Sequence, residues 1–433
     1  MSSLQAIRGT RDILPTESPL WVTIEGLARH ALNQSAYREI RTPIFEQTEL
    51  FARGIGEATD AVGKEMYSFE DRGGRSIALR PEITAGLVRA FIQNKLFAQG
   101  GVQRLWHMGP AFRYERPQAG RQRQFHQLDV EILGSRDPRA DVEIIAIATQ
   151  ILNILGLTSL TLDLNSVGSG EDRQNYREAL VAYFTPFKNE LDKDSQDRLT
   201  RNPLRILDSK DKRTQEIVTD APSLLDFLSE DSQKHFDGVQ QHLTNLGIPF
   251  NINPRLVRGL DYYTHTAFEI QSSDLGAQAT VCGGGRYDGL VKQLGGPDTP
   301  AIGFGMGIER LVILLEEMGD YSTTPDLDIY LISRGEKAEL QSVRLANELR
   351  QNGFSVEVDL SGSAFGKQFK RAARSGALLG LILGEAEADA GNVQLKWLGS
   401  GKQSEMSQAE LVANWEQLKQ EIVENRRALY EED

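Results

Sequence analysis

Apolar residues recur at helical spacing from Pro19 to about Asn33, and proline at the first helical position predicts an amphipathic helix opening there. EIRTPIFEQ (39–47) reads as a strand, but Pro43 cannot donate to a ladder, which suits an edge or a special junction. MYSFEDRGGRSIALR (66–80) predicts a hairpin turning at Gly73-Gly74, and PEITAGLVRAFIQNKLF (81–97) a helix entered through proline. RLWHMGPAFRYE and RQFHQLDVEILG read as two strands joined by the polar loop RPQAG. A long helix follows near 138–155, then the strand SLTLDLNSV (159–167).

From about 168 to 250 helical periodicity and dense charge replace strands, which predicts a small helical insertion. Strands return at 251–288, and AIGFGMGIERLVILLEE (301–317) reads as a strand running into an apolar helix. MGDYSTTPD (318–326) is a polar linker. Beyond it LDIYLIS, FSVEVDL and ALLGLIL alternate with helical stretches, the β-α-β-α-β order of an α/β unit. The expected fold class is therefore α+β. Residues 1–325 form an antiparallel-sheet domain that carries the insertion, and 326–433 a C-terminal α/β domain.

Composition narrows the function classes. A chain of 433 residues, 40% hydrophobic and 25% charged, is long enough for two or three cores of ordinary globular kind. No run approaches the ~18 apolar residues of a membrane span. The opening MSSLQAIRGTRDILP has no apolar signal core, so a cytoplasmic protein is expected. The single Cys282 excludes an intramolecular disulfide and a Cys-based zinc cluster, and no two of the six histidines have metal-ligand spacing, so no protein-held metal is expected. A net charge of −13 argues against a general nucleic-acid coat but leaves room for a local basic site.

Candidate chemistry is concentrated in a few stretches. In FRYERPQAGRQRQFHQLDVE (112–131), Arg113, Arg116, Arg121 and Arg123 surround a turn with one acid, Glu115, and planar guanidinium groups suit phosphate oxygens. Gln127, Asp129 and Glu131 alternate with Leu128, Val130 and Ile132, so one face of that strand is polar while the other packs. RPEITAG (80–86) sets Glu82 and Thr84 at a strand-to-helix junction, where a helix cap accounts for either. LVRGLDYYTHTAFEI (256–270) reads as a strand from Tyr262, with Tyr263 on one side and Tyr262 on the other; its Arg258, tyrosines and His265 are costly to bury without partners. CGGGRYDGL (282–290) reads as a glycine-rich turn, either close to a ligand or simply tight. GFGMGIERL has G-x-G-x-G spacing, which is not the dinucleotide fingerprint, and no G-x-x-x-x-G-K-[ST] loop occurs.

Together these stretches resemble the histidyl-tRNA synthetase family of class II aminoacyl-tRNA synthetases along essentially the full length. RGTRDILP resembles its N-terminus, EIRTPIFE the class's first motif with its dimer-interface proline, FRYERPQAGRQRQFHQ the second and GFGMGIERL the third. RGLDYYTHTAFE and CGGGRYDGL resemble the two signatures particular to the histidine enzymes, with Thr264-His265 where Asn-Arg is common and Gly283 where Ala is common. The resemblance implies ATP-dependent activation of L-histidine, release of pyrophosphate with Mg2+, and transfer to tRNA(His) by a homodimer. By the same resemblance, Glu82, Thr84 and Gln127 hold the α-amino group. Glu131 accepts from the imidazole, and Tyr262 and Tyr263 complete its recognition. Arg113 bridges the carboxylate and the α-phosphate, and Arg258 stands beside that phosphate as a fixed charge. Phe125 stacks on adenine; Arg310 pairs with the γ-phosphate; Glu115, Arg121 and Arg123 line the triphosphate site. Arg116 and Gln118 lie near the acceptor end of the tRNA.

The C-terminal domain resembles an anticodon-binding domain. Its helix GKQFKRAAR carries Lys367, Lys370, Arg371 and Arg374 without an acid, which suits phosphate contact and equally a solvated face. The alternative function is that of a catalytically silent relative, the regulatory subunit of ATP phosphoribosyltransferase. Such proteins typically lack the C-terminal domain, whereas this chain keeps it along with Arg113, Arg258 and Arg310.

Overall fold

A computed structural model of the chain describes residues 4–56, 59–207, 209–274, 280–319 and 327–431. It divides into two compact units, Met1–Ser322 and Thr323–Asp433. The boundary expected after 325, and most of the linker read at 318–326, lie outside the described residues.

The first unit is built on an eight-stranded sheet. In chain order the strands of this unit are β1 (Arg38–Glu39), β2 (Phe45–Gln47), β3 (Ser68–Glu70), β4 (Ser76–Leu79), β5 (Gln103–Phe112), β6 (Gln124–Leu133), β7 (Leu160–Ser166), β8 (Asn251–Ile252), β9 (Thr264–Ser272), β10 (Thr280–Arg286) and β11 (Ala301–Gly307). The large sheet runs β1-β5-β6-β11-β10-β9-β7-β8, antiparallel throughout its middle, with β1 and β8 joining in parallel at the edges. β2, β4 and β3 form a separate antiparallel sheet.

EIRTPIFEQ is thus not one strand. Its first residues join the large sheet and its last the small one, and the Arg80 guanidinium ties down the turn between them through Thr42 Oγ1 at 3.1 Å. Proline in the middle of a ladder would forfeit a hydrogen bond, so the chain breaks there. The helix read over 81–97 is shorter as well: Thr84–Gln93, with Pro81 outside it.

One face of the sheet packs against helices Ser18–Gln34, Pro138–Ile154 and Ile308–Met318, around Leu128, Val130, Ile132, Phe268 and Phe304. Phe236, Val239 and Leu243, from the helix Glu230–Asn245, belong to that same core. The end of the 168–250 segment is therefore packed into the first unit's main core rather than set apart from it. On the opposite face, Leu87, Val88 and Phe91 join Tyr176, Leu180 and Phe184 in a second core.

Two local expectations are corrected. CGGGRYDGL is not a turn, because Cys282–Arg286 lie inside β10, between β9 and β11. Its glycines serve close approach: a Cβ on Gly283 would stand 2.5 Å from an Arg258 guanidinium nitrogen. The strand expected from Tyr262 starts at Thr264, and His265 at φ +48° interrupts its alternation. The register there jumps from Gly285–Ala267 to Arg286–Thr264, a bulge. Tyr262 and Tyr263 precede the strand, so its pleat does not set them on opposite sides.

The second unit has a five-stranded sheet ordered β13-β12-β14-β15-β16, formed by β12 (Ile329–Ser333), β13 (Val356–Val358), β14 (Leu379–Leu383), β15 (Asn392–Trp397) and β16 (Gln403–Ser407). The first three are parallel, as the alternating pattern implies, and an antiparallel pair extends the edge.

Candidate active site

A cavity of about 210 Å³ opens over the polar face of β6. Its floor follows from pairing register. Gln127, Asp129 and Glu131 stand directly across from Gly307, Gly305 and Gly303 of β11, so the G-x-G-x-G spacing leaves a side-chain-free stripe beside three polar groups. A Cβ on Gly303 would collide with the Glu131 carboxylate. The glycines leave open space above the stripe.

The closed end is rich in buried carboxyl groups. Glu82, Asp129 and Glu131 are 3%, 3% and 1% exposed. Glu131 is clasped from two sides: Thr84 Oγ1 donates to Oε1 at 2.7 Å and Tyr287 Oη to Oε2 at 2.6 Å. Burial nevertheless pushes its carboxyl up to about 8, against the pull of those two hydrogen bonds. Glu82 Oε1 accepts from the Ala85 N–H at 2.8 Å, as a helix cap would, while Oε2 is buried and meets no donor. Gln127 Oε1 and Asp129 Oδ2 are likewise buried without a donor. Burial raises the Glu82 and Asp129 carboxyls above their ordinary range, and for Asp129 the neighbouring Glu131 adds to the effect. Such orphan acceptors are expensive unless a ligand brings N–H groups.

The same lining carries four cations, Arg113, Arg121, Arg258 and Arg310. Arg113 Nε donates to the Pro81 carbonyl at 2.8 Å, and its guanidinium sits 5.4 Å from the centre of the Phe125 ring. Arg121 pairs with Glu115 at 3.2 Å. Arg310 donates to the Thr280 carbonyl; burial, then the nearby Arg121, lowers its affinity for a proton. Arg258 is paired with Glu269 and lies 5.6 Å from the centre of the Tyr263 ring. Burial works against its charge, but Tyr263 and Glu269 hold its pKa above the ordinary arginine value. Tyr262 and Tyr263 are both buried and both line the cavity, their ring centroids 4.8 Å apart.

Most sequence-nominated residues therefore meet here, with exceptions. Arg123 lies outside the lining: its backbone N–H donates to the Gly9 carbonyl, and its guanidinium stacks 3.9 Å from the Tyr114 ring centre. The N-terminal strap thus turns it away from the cavity. Arg116 and Gln118 are exposed on the connecting loop, outside the cavity lining. In the second unit the helix Phe365–Ala372 ends before Arg374, and Arg371 is bound to Asp359 at 2.8 Å, leaving Lys367, Lys370 and Arg374 exposed.

Sequence reasoning missed Asp129 and Tyr287. The alternation of β6 pointed to the first, and Tyr287 stood inside the quoted glycine signature. That it would clasp Glu131, 156 residues away, was not readable.

Comparison with known proteins gives concordant matches. The family model described as histidyl-tRNA synthetase matches residues 9–311, and the anticodon binding domain model matches 328–418. A protein of Synechocystis sp. named histidine–tRNA ligase is 67% identical over 98% of this chain and 95% of its own length. One of the same name from Picosynechococcus sp. is 67% identical over 98% and 99%. The crystal structure of apo S. aureus histidyl-tRNA synthetase superimposes with a TM-score of 0.80 at 38% identity, covering 95% of this chain and 99% of that one.

Proposed function

The chain belongs to the histidyl-tRNA synthetase family, and from that premise we propose how its cavity performs the ATP-dependent ligation of histidine to tRNA, a step of protein biosynthesis. The observation that carries the reading is the composition of the lining: orphan acceptors and buried carboxyls in one cavity with four arginines. An amino acid enters with its ammonium and imidazole N–H groups toward the acceptors, and the ATP phosphates lie among the arginines.

Glu82 and Gln127 take the ammonium. Thr84, whose proton goes to Glu131, can only accept from it. Glu131 accepts from the imidazole beside Tyr262, Tyr263 and Tyr287. One substrate carboxylate oxygen attacks the α-phosphorus, the bond to the β-phosphate bridging oxygen breaks, and pyrophosphate leaves. Arg113 bridges carboxylate and phosphate, Arg258 neutralises the charge that develops, Phe125 carries adenine, and Arg121 and Arg310 hold the outer phosphates. In-line phosphoryl chemistry gains mostly from such positioning and charge neutralisation. The terminal ribose hydroxyl of tRNA(His) then attacks the acyl carbon and AMP departs. Arg116 and Gln118, exposed beside the mouth, are placed to meet the acceptor end.

Mg2+ would come with the ATP phosphates. Glu115 and Glu309 are carboxylates of the lining beside Arg121 and Arg310, and phosphate oxygens and water suit this ion better than an all-protein cage. The regulatory-subunit reading is not favoured, since the near-full-length relatives carry the ligase name and the second unit matches an anticodon-binding domain. No helix among the described residues is long and apolar enough to cross a membrane; we place the reaction in the cytoplasm, where its substrates are. The assay that decides this proposal is histidine-dependent exchange of labelled pyrophosphate into ATP. Folded protein without exchange would overturn it.

The division of labour gives a further test. A chain ending at Ser322 keeps every cavity residue, so it should retain exchange while losing about tenfold or more in tRNA charging at subsaturating tRNA. Undiminished charging would remove the second unit from tRNA binding. More gently, replacing Lys367, Lys370 and Arg374 with Ala should flatten the salt dependence of tRNA binding, by about 0.7–0.9 in log–log slope for each phosphate no longer neutralised. Arg371 is left in place because Asp359 already engages it.

We also propose a homodimer through the Pro43 segment. Ile44, Phe45 and Phe69, on and beside the small sheet, are 43%, 58% and 49% exposed, more apolar surface than a strand pair leaves in water without reason. Light scattering should give twice the chain mass at micromolar concentration; an active monomer would contradict it.

A further inference from the structure

Three buried acceptors at the closed end have no donor in the protein: Glu82 Oε2, Gln127 Oε1 and Asp129 Oδ2. An ammonium group carries three N–H donors. Glu82 and Gln127 account for two of them in the reading given above, on which this inference rests, and Thr84 Oγ1, whose proton goes to Glu131, accepts from the third. We propose that Asp129 shares that third N–H with Thr84, sets a carboxylate beside the substrate's α-ammonium, and is hence a specificity residue for the amino-acid site.

No protein group donates to Asp129 Oδ2. Its register partner on β5 is His107, whose Nδ1 sits 2.7 Å from the Ile40 carbonyl. A carbonyl only accepts, so Nδ1 carries the proton and Nε2 is bare. That nitrogen is itself buried without a partner. Burial holds the ring down to about 4, so it stays neutral and has no second proton to offer. On β11 the partner is Gly305, which has no side chain. The Arg80 guanidinium donates to the Pro110 carbonyl and to Thr42, and its attraction and that of Arg113 are opposed by the repulsion of Glu131 and Glu82. No protein donor meets Oδ2, and Asp129 lines the cavity, from which a ligand's N–H can come.

Strand geometry fixes which part of the ligand arrives there. Gln127, Asp129 and Glu131 share one face at successive two-residue steps, roughly 7 Å apart. With Gln127 at the ammonium and Glu131 at the imidazole, Asp129 lies under the segment that joins them, within reach of the ammonium but facing no donor of the carboxylate end. A cation there also relieves the mutual repulsion of three buried carboxyl groups.

The test is Asp129→Asn, with Asp129→Gly as a second variant that removes the carboxylate without adding a misplaced donor. In pyrophosphate exchange the KM for histidine should rise about tenfold in each, which corresponds to about 1.4 kcal/mol. The KM for ATP and kcat should stay within about a factor of three. Two competing ligands separate direct recognition from structural support. Histidinol keeps the ammonium and should lose affinity in parallel with histidine. Imidazolepropionate keeps the ring and the carboxylate but lacks the ammonium, and its inhibition constant should not move. A rise of equal size for imidazolepropionate would make Asp129 a structural residue and overturn the proposal, as would an unchanged KM for histidine. Absence of histidine-dependent exchange in the unaltered chain would instead bring down the reading of the site itself.

Discussion

Arg258→Ala should slow histidyl-adenylate formation about 100- to 1,000-fold, the usual cost of losing one preorganised charge-stabilising group. Histidine and ATP should bind nearly as before, because most of the groups that hold them lie elsewhere in the cavity. The geometry explains why this guanidinium is so placed. It is held by Glu269, flanked by Tyr263, and lies flat on the backbone of Gly283, where a Cβ would stand 2.5 Å away. Little reorganisation then remains at the moment of reaction. The alanine variant should still fold, since Glu269 keeps the Thr280 hydroxyl at 3.0 Å. Single-turnover formation of the adenylate is the measurement. Arg258→Lys should recover only part of the rate, because an ammonium keeps the charge but not the planar fork. A wild-type rate for Arg258→Ala would remove the residue from the chemistry.

Glu131→Gln should raise the KM for histidine about 10- to 100-fold, within the cost of leaving a buried donor unsatisfied, while the KM for ATP stays put. Thr84 and Tyr287 already occupy the two carboxylate oxygens from one side. An amide must put its NH2 at one of those positions and so presents a donor where the imidazole N–H needs an acceptor.

The pH dependence is a sharper signature. With the free carboxyl raised to about 8, Glu131 is neutral below that pH and ionised above it. The ionised form is the better acceptor, so this group makes kcat/KM for histidine climb as pH rises through about 8. In the Gln variant that climb should be absent. Dividing the two profiles cancels the titration of histidine itself. Parallel profiles would move imidazole recognition to another residue.

The amino-acid sequence by itself determined most of the elements and the split between an antiparallel unit and an α/β unit, and it nominated most of the polar groups that line the cavity. Periodicity is local: β6 shows its polar face in Gln127, Asp129 and Glu131, and the helix Pro138–Ile154 shows its apolar stripe, without any distant neighbour. Only the tertiary structure decided the rest. The Pro43 segment was divided between two sheets, with Arg80 tying down the turn, and the Tyr262–Tyr263 pair, lying before the strand, met in one cavity. The glycine signature became a strand because β9 and β11 supply hydrogen bonds on both its edges, which turn propensity cannot anticipate. Arg123 stacks on Tyr114 outside the cavity lining, and Arg371 is engaged by Asp359, contacts that spacing along the chain does not show. Asp129 gained its meaning from groups that do not bond to it. Register sets His107 and Gly305 opposite it, neither offers a proton, and that lack is a property of packing rather than of spacing along the chain.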